Sequence, residues 1–277
     1  MLGQQLVVNE VTPPTYLSPS SMSTFKQCPQ KFKFNKIDLI PDPSNHWAVL
    51  GNFVHDILEE MYKLPPELRT LENSRPIARQ IWDEKWAEEA LKVIGGFKIT
   101  YKLQSFNEIE ALKRFRFLAW QCVENLWDIE DPKKIEPTGL EYELNGEVSG
   151  VMLRGFIDRY SQTEGKMSLT VSDYKTGKTP TIDVDEKFLQ LLIYAKLLSA
   201  LGVGDVDKVE LLYLKDKVRL EKKVTSDDLS RTVEYIQTTK SEIDKSCASG
   251  VFESRKSFLC NFCSYKKICP AWNGGLL

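Results

Sequence analysis

The apolar and polar positions in the middle of the chain alternate with a period of two, which predicts β-strands. Leu140, Tyr142 and Leu144, for example, alternate with polar residues. Because side chains two positions apart in a strand point to the same face, such a segment buries one face against a core. The first three strands follow one another closely, so a meander is the simplest pairing. The predicted strands are 140–145, 151–158, 169–175, 208–215 and 218–223.

Helical periodicity is found on both sides of the first three strands. Ser18 can cap a helix that begins at Pro19, because proline suits the first helical turn, and this helix carries Cys28. In a second helix the apolar residues recur at the i, i+3, i+4 and i+7 positions of a buried face, which His55 borders. The later helices are predicted around this same core. The predicted helices include 52–63, 185–201 and 226–249.

Residues 67–131 are predicted to form a helical insertion that is rich in large aromatic side chains. At helical spacing such side chains favour a core, although they can also be stacking platforms for nucleic-acid bases. The aromatic residues are Trp82, Trp86, Phe115, Phe117, Trp120 and Trp127. The pattern therefore predicts a helical lobe with either a structural or a nucleic-acid-binding role.

The composition is typical of a globular protein, since 42% of the 277 residues are hydrophobic and 27% are charged. We expect one domain with an N-terminal helical segment (15–66), the insertion (67–131), a central core (138–225) and a C-terminal helix with a cysteine cluster (226–277). The chain has no apolar run of transmembrane length, and its first residues lack the regions of a signal peptide. We therefore expect a cytoplasmic protein without a membrane partner, in the host cytoplasm if the chain is viral.

The formal net charge is −2, so any nucleic-acid surface must be a local one. Three basic clusters are candidates, although each is also compatible with an ordinary solvated face. They contain Lys26, Lys31, Lys33 and Lys36; Lys113, Arg114 and Arg116; and Lys215, Lys217, Arg219, Lys222 and Lys223.

Three cysteines lie close together near the C-terminus, at Cys260, Cys263 and Cys269, and Cys28 lies near the N-terminus. Inside a cell a disulfide set is disfavoured, which leaves metal binding, catalysis or burial. Three thiolates leave one coordination position open, and Cys28 is the natural fourth ligand. The spacing predicts one metal site that joins the two ends of the chain, and it permits either zinc or an iron–sulfur cluster.

Two acidic residues, Asp158 and Asp173, lie near the ends of predicted strands, and Lys175 follows Asp173 by two positions. Asp173 and Lys175 therefore share a strand face, beside Asp158 if the two strands pair. Carboxylate oxygens suit Mg²⁺ or Mn²⁺, and a neighbouring lysine can orient or help to deprotonate an attacking water. The set is typical of phosphodiester hydrolysis, although an Asp-x-Lys tripeptide alone is also compatible with surface ion pairs.

Four ordered segments resemble the RecB-like branch of the PD-(D/E)XK nuclease superfamily. They are Gly-Asn-Phe-Val-His at 51–55, Gly-Phe-Ile-Asp-Arg at 155–159, Asp-Tyr-Lys-Thr-Gly at 173–177 and Gln-Leu-Leu-Ile-Tyr-Ala at 190–195. Cys28-Pro29 and the C-terminal cysteine triad resemble the iron–sulfur subset, which comprises AddB-type nucleases and CRISPR-associated single-strand exonucleases. The literal Pro-Asp of the family pattern is replaced, because Ile157 precedes Asp158.

The resemblance implies that Asp158 and Asp173 bind a catalytic Mg²⁺ or Mn²⁺ ion and that His55 is a further metal ligand. From the residues alone, a histidine that borders an apolar stripe is more often structural. Glu141 is an additional acidic candidate, and Glu143 has the same strand parity, so the choice between the two stays open.

The same resemblance implies that Lys175 assists the nucleophilic water. Gln190 and Tyr194 lie one turn apart on one face of a predicted helix, where they would contact the substrate or this lysine. For Cys28 and the C-terminal triad the resemblance implies a [4Fe-4S] cluster rather than zinc. Its role would be structural, because hydrolysis moves no electrons.

The fold implied by the resemblance is an α/β fold with a PD-(D/E)XK restriction-endonuclease-like core. Helices flank a mixed central sheet, a helical insertion is added, and an iron–sulfur staple joins the N- and C-terminal segments. The implied activity is that of a metal-dependent exonuclease that favours single-stranded DNA ends in recombination, repair or phage DNA processing. Alternatives are a nuclease that trims DNA in CRISPR adaptation and a non-catalytic DNA-binding or scaffold subunit. DNA is the expected partner, and a homo-oligomer or recombination or CRISPR partner proteins are compatible with the sequence.

Overall fold

The computed structural model describes residues 11–96 and 107–273. Contacts within the chain define two compact units. The first unit contains the residues up to Pro43, Leu144–Gly155 and the residues from Ser226 onward; the second contains Ser44–Glu143 and Phe156–Thr225. The expectations about the first ten residues and about 97–106 of the predicted insertion fall outside the described residues. Within the described part of the chain, no helix has the length and apolar character needed to span a membrane.

A five-stranded mixed sheet has the strand order β1-β2-β3-β4-β5. The strands are β1 (Pro137–Val148), β2 (Val151–Gln162), β3 (Leu169–Lys175), β4 (Val206–Tyr213) and β5 (Val218–Lys223). Strand β2 pairs antiparallel with β3, β3 parallel with β4, and β4 antiparallel with β5. The parallel pair requires a long crossover, which contains a helix here. The predicted α/β fold with a mixed sheet flanked by helices is thus confirmed.

Ten α-helices are found in the described part of the chain, outside the ranges that it omits. They are α1 (Pro19–Gln27), α2 (Pro29–Phe32), α3 (His46–Lys63), α4 (Leu71–Ile81), α5 (Ala87–Val93), α6 (Glu108–Ile129), α7 (Val184–Lys187), α8 (Leu189–Ala200), α9 (Ser226–Ser249) and α10 (Pro270–Asn273). Helix α3 begins earlier than predicted because the Asn45 side chain accepts hydrogen bonds from the N–H groups of Trp47 and Ala48. The helix predicted at 185–201 is two helices, α7 and α8, which meet at Phe188.

Strand β3 is buried on both faces, as a central strand with a parallel neighbour requires. On one face, Tyr174 of β3 and Leu212 of β4 join the apolar core that α3, α4 and α6 build in the second unit. Helix α8 packs against β3 and β4 in the same unit. Residues 169–175 are therefore held on a rigid part of the molecule.

The aromatic residues of the predicted insertion divide between core and surface. Trp82, Trp86 and Phe115 are at most 6% exposed and pack around Phe53 of α3. Phe117, which also lies on α6, is 54% exposed. The core interpretation is correct for the inward face of the helices, whereas Phe117 faces solvent.

Main-chain hydrogen bonds and an ion pair are among the contacts that join distant parts of the chain in the first unit. The N–H of Leu17 donates to the carbonyl of Met152 at 2.9 Å, and the N–H of Arg154 donates to the carbonyl of Leu17 at 2.9 Å. Lys26 of α1 lies 2.6 Å from Glu242 of α9. These contacts fix the segment that contains the first cysteine of the predicted staple.

A fully buried ion pair lies behind strands β2 and β3 in the second unit. The guanidinium of Arg159 donates to both carboxylate oxygens of Glu130, at 2.5 and 3.0 Å, and to the Tyr174 hydroxyl at 2.9 Å. The side chains of Arg159 and Glu130 are only 1% and 2% exposed. Arg219 also donates to Glu130, at 2.8 Å, as does the hydroxyl of Tyr62. Because several donors satisfy the carboxylate, the cost of burying the charges is offset locally.

Replacing Arg159 with methionine should lower the free energy of unfolding by about 3 kcal/mol, because Glu130 would keep its buried charge and lose a bidentate partner. Denaturant titration measures this loss. The control is Lys217→Met, which breaks an exposed pair with Asp128 (2.7 Å, side chains 52% and 57% exposed) and should cost less than about 1 kcal/mol. Adding Glu130→Gln to Arg159→Met should recover part of the loss. Equal free energies of unfolding for Arg159→Met and Lys217→Met would contradict a stabilising role for the buried ion pair.

Candidate active site

Side chains from three elements of the second unit converge near one end of β2 and β3. Helix α3 supplies His55, β2 supplies Asp158, and β3 supplies Asp173. The antiparallel register that pairs Arg159 with Ser172, continued by one residue, sets Asp158 opposite Asp173. Since successive side chains of a strand point to opposite faces, both carboxylates lie on the face opposite to the buried Arg159.

The main chain of Tyr174 holds two of these side chains in place. Its N–H donates to Asp158 Oδ2 at 2.7 Å, and its carbonyl oxygen lies 2.9 Å from Nε2 of His55. When Nε2 carries the proton that this carbonyl accepts, the other ring nitrogen, Nδ1, faces the carboxylates as a potential ligand. Histidines that bind metals commonly donate their second ring N–H to a carbonyl or carboxylate in this way.

Three side chains in this region have the geometry of a metal site. Nδ1 of His55 lies 3.5 Å from Asp158 Oδ2 and 3.8 Å from Glu141 Oε1. One ligand atom from each residue lies within 4.8 Å of the other two. One nitrogen and two carboxylate donors suit Mn²⁺, and carboxylates beside a substrate phosphate suit Mg²⁺. The residues therefore fit the divalent ion that the sequence predicts, with Glu141 in the group.

Glu141 and Glu143 have the same strand parity, but Glu141 has an unusual backbone conformation. Glu141 has a φ of 40°, in the left-handed region that a non-glycine residue rarely adopts within a strand. This conformation interrupts the alternation of β1, and Tyr142, expected on the buried face, is 38% exposed. The carboxylate of Glu141 is the one grouped with His55 and Asp158, and a period-two pattern alone does not distinguish it from Glu143.

Asp173 lies beside this group and forms a second set with Lys175, Gln190 and Tyr194. Nζ of Lys175 lies 2.6 Å from Asp173 Oδ2. The amide of Gln190 on α8 donates to Asp173 Oδ1 at 3.5 Å and to the Tyr194 hydroxyl at 3.2 Å. The structure thus brings all the sequence-predicted residues of the second unit into one region. The group of three potential metal ligands, however, contains Glu141 rather than Asp173.

The charge on His55 depends on a competition between burial and the surrounding carboxylates. Burial alone lowers the pKa of His55, but Asp158, Glu141 and Asp173 outweigh burial and raise the pKa well above its usual value. For Asp158, burial raises the pKa, while His55 and the Tyr174 N–H outweigh it and leave the pKa lowered. A divalent cation would compete with the imidazole proton for the same carboxylates, so its binding would release a proton.

The pKa values of Asp173 and Lys175 are changed by burial and by the charge of the other residue. Burial and the charge of Asp158 raise the pKa of Asp173 to about 6, although Lys175 opposes this change. Burial lowers the pKa of Lys175, but the Asp173 carboxylate outweighs it and raises the pKa above its usual value. Lys175 is therefore a cation at neutral pH. A buried acid with a raised pKa beside a fixed ammonium is an arrangement that functional sites often contain.

The four cysteines of the predicted staple line a single small cavity in the first unit. Cys28 lies between α1 and α2, and the other three lie in the segment after α9. Four cationic side chains, Lys31, Arg255, Lys256 and Lys266, line the same cavity. Among the described residues, no three of the sulfur atoms lie within 4.8 Å of one another.

The thiol of Cys260, one of these four cysteines, has a lowered pKa. The N–H of Ser257 donates to the sulfur of Cys260 at 3.4 Å, and this hydrogen bond is the main reason that the pKa of Cys260 is lowered. Cys122 and Cys247, by contrast, are buried, and burial raises the pKa of both thiols. These two cysteines lie outside the cavity that the other four line.

The chain is similar to known proteins in sequence and in fold. The sequence profile of the PD-(D/E)XK nuclease superfamily matches residues 16–270. The chain is 25% identical over 287 aligned positions to the Gene 69 protein of Mycobacterium phage L5, which covers 92% of this chain and 96% of that protein. A crystal structure of a candidate exonuclease from Eubacterium rectale has a TM-score of 0.52 and 12% identity, covering 95% of this chain and 94% of that one. At this identity the structural likeness concerns the fold.

Replacing Glu141 with glutamine should weaken Mn²⁺ binding by roughly 10-fold or more, because one of the two carboxylate donors of the three-residue group is lost. Calorimetric titration of the purified protein with Mn²⁺ measures the affinity. Glu143→Gln is the matched control, since Glu143 lies on the same strand outside the three-residue group. The assignment is wrong if both variants bind Mn²⁺ as tightly as the unmodified protein.

Proposed function

The chain belongs to the PD-(D/E)XK nuclease superfamily, and from this premise we propose that it is a metal-dependent deoxyribonuclease that hydrolyses phosphodiester bonds. The observation that carries the proposal is the convergence of His55, Asp158 and Asp173 beside the Lys175 ammonium. Phosphodiester cleavage requires a held divalent cation, an oriented water and positive charge at the phosphoryl oxygens. Residues of one rigid sheet and its adjacent helices offer all three.

Each residue has a defined part in the proposed reaction. His55, Asp158 and Glu141 or Asp173 would hold a divalent metal ion, which lowers the pKa of a bound water and offsets phosphate charge. Lys175 is held as a cation by Asp173, so it is suited to orienting the water and stabilising a phosphoryl oxygen. It is less suited to accepting a proton.

The helix α8 contributes positioning rather than charge. Gln190 donates to one oxygen of Asp173 while Lys175 contacts the other, so both oxygens of this carboxylate are oriented. The same amide contacts the Tyr194 hydroxyl, which is buried with the rest of that side chain. Gln190 and Tyr194 thereby fix the face of Asp173 that would meet a metal or the substrate.

The finer activity that we propose is exonucleolytic cleavage favouring single-stranded DNA ends. Its support is the resemblance of the four ordered sequence segments to RecB-like nucleases. Among recombination, repair and phage DNA processing, the relative from a mycobacteriophage favours phage DNA processing. Hydrolysis of a phosphodiester bond needs no electron transfer, so the proposed reaction requires no redox role for the cysteines.

We also propose that the four cysteines hold a [4Fe-4S] cluster with a structural role. Its support is that Cys28 and the three C-terminal cysteines, far apart in sequence, line the same cavity. Four thiolates on an iron–sulfur cluster leave net negative charge, and the surrounding lysines and arginine complement it.

Purified protein with Mn²⁺ or Mg²⁺ should degrade end-labelled DNA, and chelation of the metal should stop it. Asp173→Asn and Lys175→Gln should each lower the rate by roughly 10²-fold or more, because each removes a group from the reacting centre. Lys92→Gln, which removes an exposed cation of α5 outside the site, should leave the rate unchanged. Linear and circular, single- and double-stranded substrates separate exonuclease from endonuclease activity. Undiminished cleavage by Asp173→Asn would refute the proposed site, and metal-independent DNA binding without any cleavage would favour the non-catalytic subunit.

Protein purified without oxygen should contain iron and sulfide in equal amounts. Cys28→Ser should lose both and should unfold at a lower temperature, because the link between the two chain segments is removed. Cys247→Ala is the control, since this buried cysteine lies outside the cavity and should leave the iron content unchanged. Zinc in place of iron would refute the cluster, and full thermal stability of Cys28→Ser would refute its structural role.

A further inference from the structure

A groove of about 510 Å³ lies on the helical part of the second unit, away from the residues of the active site. Helices α4 and α6 form its walls, and Phe53 and Ile57 of α3 form its floor. Phe53 lies two positions before His55, and Ile57 lies two positions after it. Two positions along an α-helix turn the side-chain direction by about 200° around the helix axis. The groove therefore opens on a different face of α3 from the face that presents His55.

The groove is strongly basic although the whole chain has a net charge of −2. Four cationic side chains line it, namely Arg75, Arg79, Lys113 and Arg116, against the single carboxylate of Glu124. Glu124 is already engaged, because it lies 3.5 Å from Arg75 and accepts a hydrogen bond from the Trp120 indole at 2.5 Å. Lys113 lies 2.8 Å from Glu110, so the remaining positive charge of the groove comes mainly from Arg79 and Arg116. A net-acidic protein needs such a local basic surface in order to bind a polyanion.

Aromatic rings hold two of the arginines in fixed orientations. The guanidinium of Arg75 lies 5.2 Å from the centre of the Trp120 ring, and that of Arg116 lies 5.2 Å from the centre of the Trp82 ring. A guanidinium stacked on a ring keeps its N–H edge available to phosphate oxygens. The two arginines thus lose little additional entropy when they contact a ligand in this geometry.

Phe117 supplies the feature that distinguishes a nucleic-acid groove from a simple anion patch. It lines the groove and is 54% exposed, whereas Phe115, two positions earlier on α6, is fully buried. A large apolar ring displayed among cations is suited to stacking with an unpaired base. Double-stranded DNA keeps its bases stacked on one another, and unstacking them costs a few kcal/mol per step, so this ring favours a single strand.

We propose that this basic groove binds a single-stranded DNA segment, with its phosphates on Arg75, Arg79 and Arg116 and a base on Phe117. The proposal rests on the proposed function in one respect, namely that the bound strand belongs to the DNA which the active site cleaves. Because the groove lies on a different face of α3, it contacts a part of the strand other than the scissile phosphate. It would retain the substrate between successive cleavage events.

The test measures binding of a fluorescent oligothymidylate in EDTA, so that no cleavage is required. Arg79→Ala/Arg116→Ala should weaken binding, and the slope of log affinity against log salt should fall by about 0.7 for each phosphate that the variant no longer neutralises. Lys92→Ala/Lys134→Ala removes two exposed cations of the same unit outside the groove and controls for net charge. Equal affinities and salt slopes for the two double variants would overturn the proposal.

Phe117→Ala provides an independent test of the proposal. Because this side chain is exposed, the variant should fold normally, and circular dichroism checks this. The loss of one stacked base should weaken single-strand binding by roughly 5- to 150-fold, with an unchanged salt slope and no effect on a duplex of the same length. An equal effect on duplex, or competition by polyglutamate as strong as by unlabelled oligothymidylate, would overturn the assignment to single-stranded DNA.

These experiments can refute the groove proposal and the nuclease proposal independently of each other. If the unmodified protein cleaves DNA with Mn²⁺ while the groove variants bind oligothymidylate normally, the groove proposal fails and the nuclease proposal stands. If no cleavage occurs but the groove variants lose binding as expected, the groove binds DNA and the proposed nuclease function fails.

Discussion

The pairing of β2 with β3, and the buried ion pair behind it, is the constraint on which the active site depends. Arg159 and Tyr174 point into the core, where the guanidinium joins Glu130 and the tyrosine hydroxyl. The neighbouring residues on the same strands, Asp158 and Asp173, must then point the other way. A charged contact inside the protein thus sets the orientation of the carboxylates, since neither strand can rotate or slip without uncovering a buried charge.

Much of the fold was predictable because its signals are local. The positions of the strands, the apolar stripe of α3 and the cap at Ser18 each depend on neighbouring residues, and each was confirmed, whereas the alternation predicted for β1 is interrupted at Glu141. The ion pair between Arg159 and Glu130 was not predictable, since it joins residues 29 positions apart and a buried arginine looks like a surface one in sequence. Its partner Tyr174 was visible only as the middle residue of Asp-Tyr-Lys.

The candidate site shows the same division between local and distant information. Two-residue spacing placed Asp173 beside Lys175, as observed. Glu141 could not be separated from Glu143, because its left-handed backbone has no sequence signal when the residue is not glycine. The hydrogen bonds from the Tyr174 main chain were hidden for a different reason: every residue except proline has an N–H and a carbonyl, so that no letter in the sequence marks their use.

The peptide groups around Tyr174 also have a spectroscopic consequence. The N–H of its main chain donates a hydrogen bond to the carboxylate of Asp158. The chemical shift and solvent-exchange rate of this single amide therefore respond to whatever changes the charge of that carboxylate. In a nitrogen-15 spectrum, the amide signal of Tyr174 reports events at the site without any attached probe group.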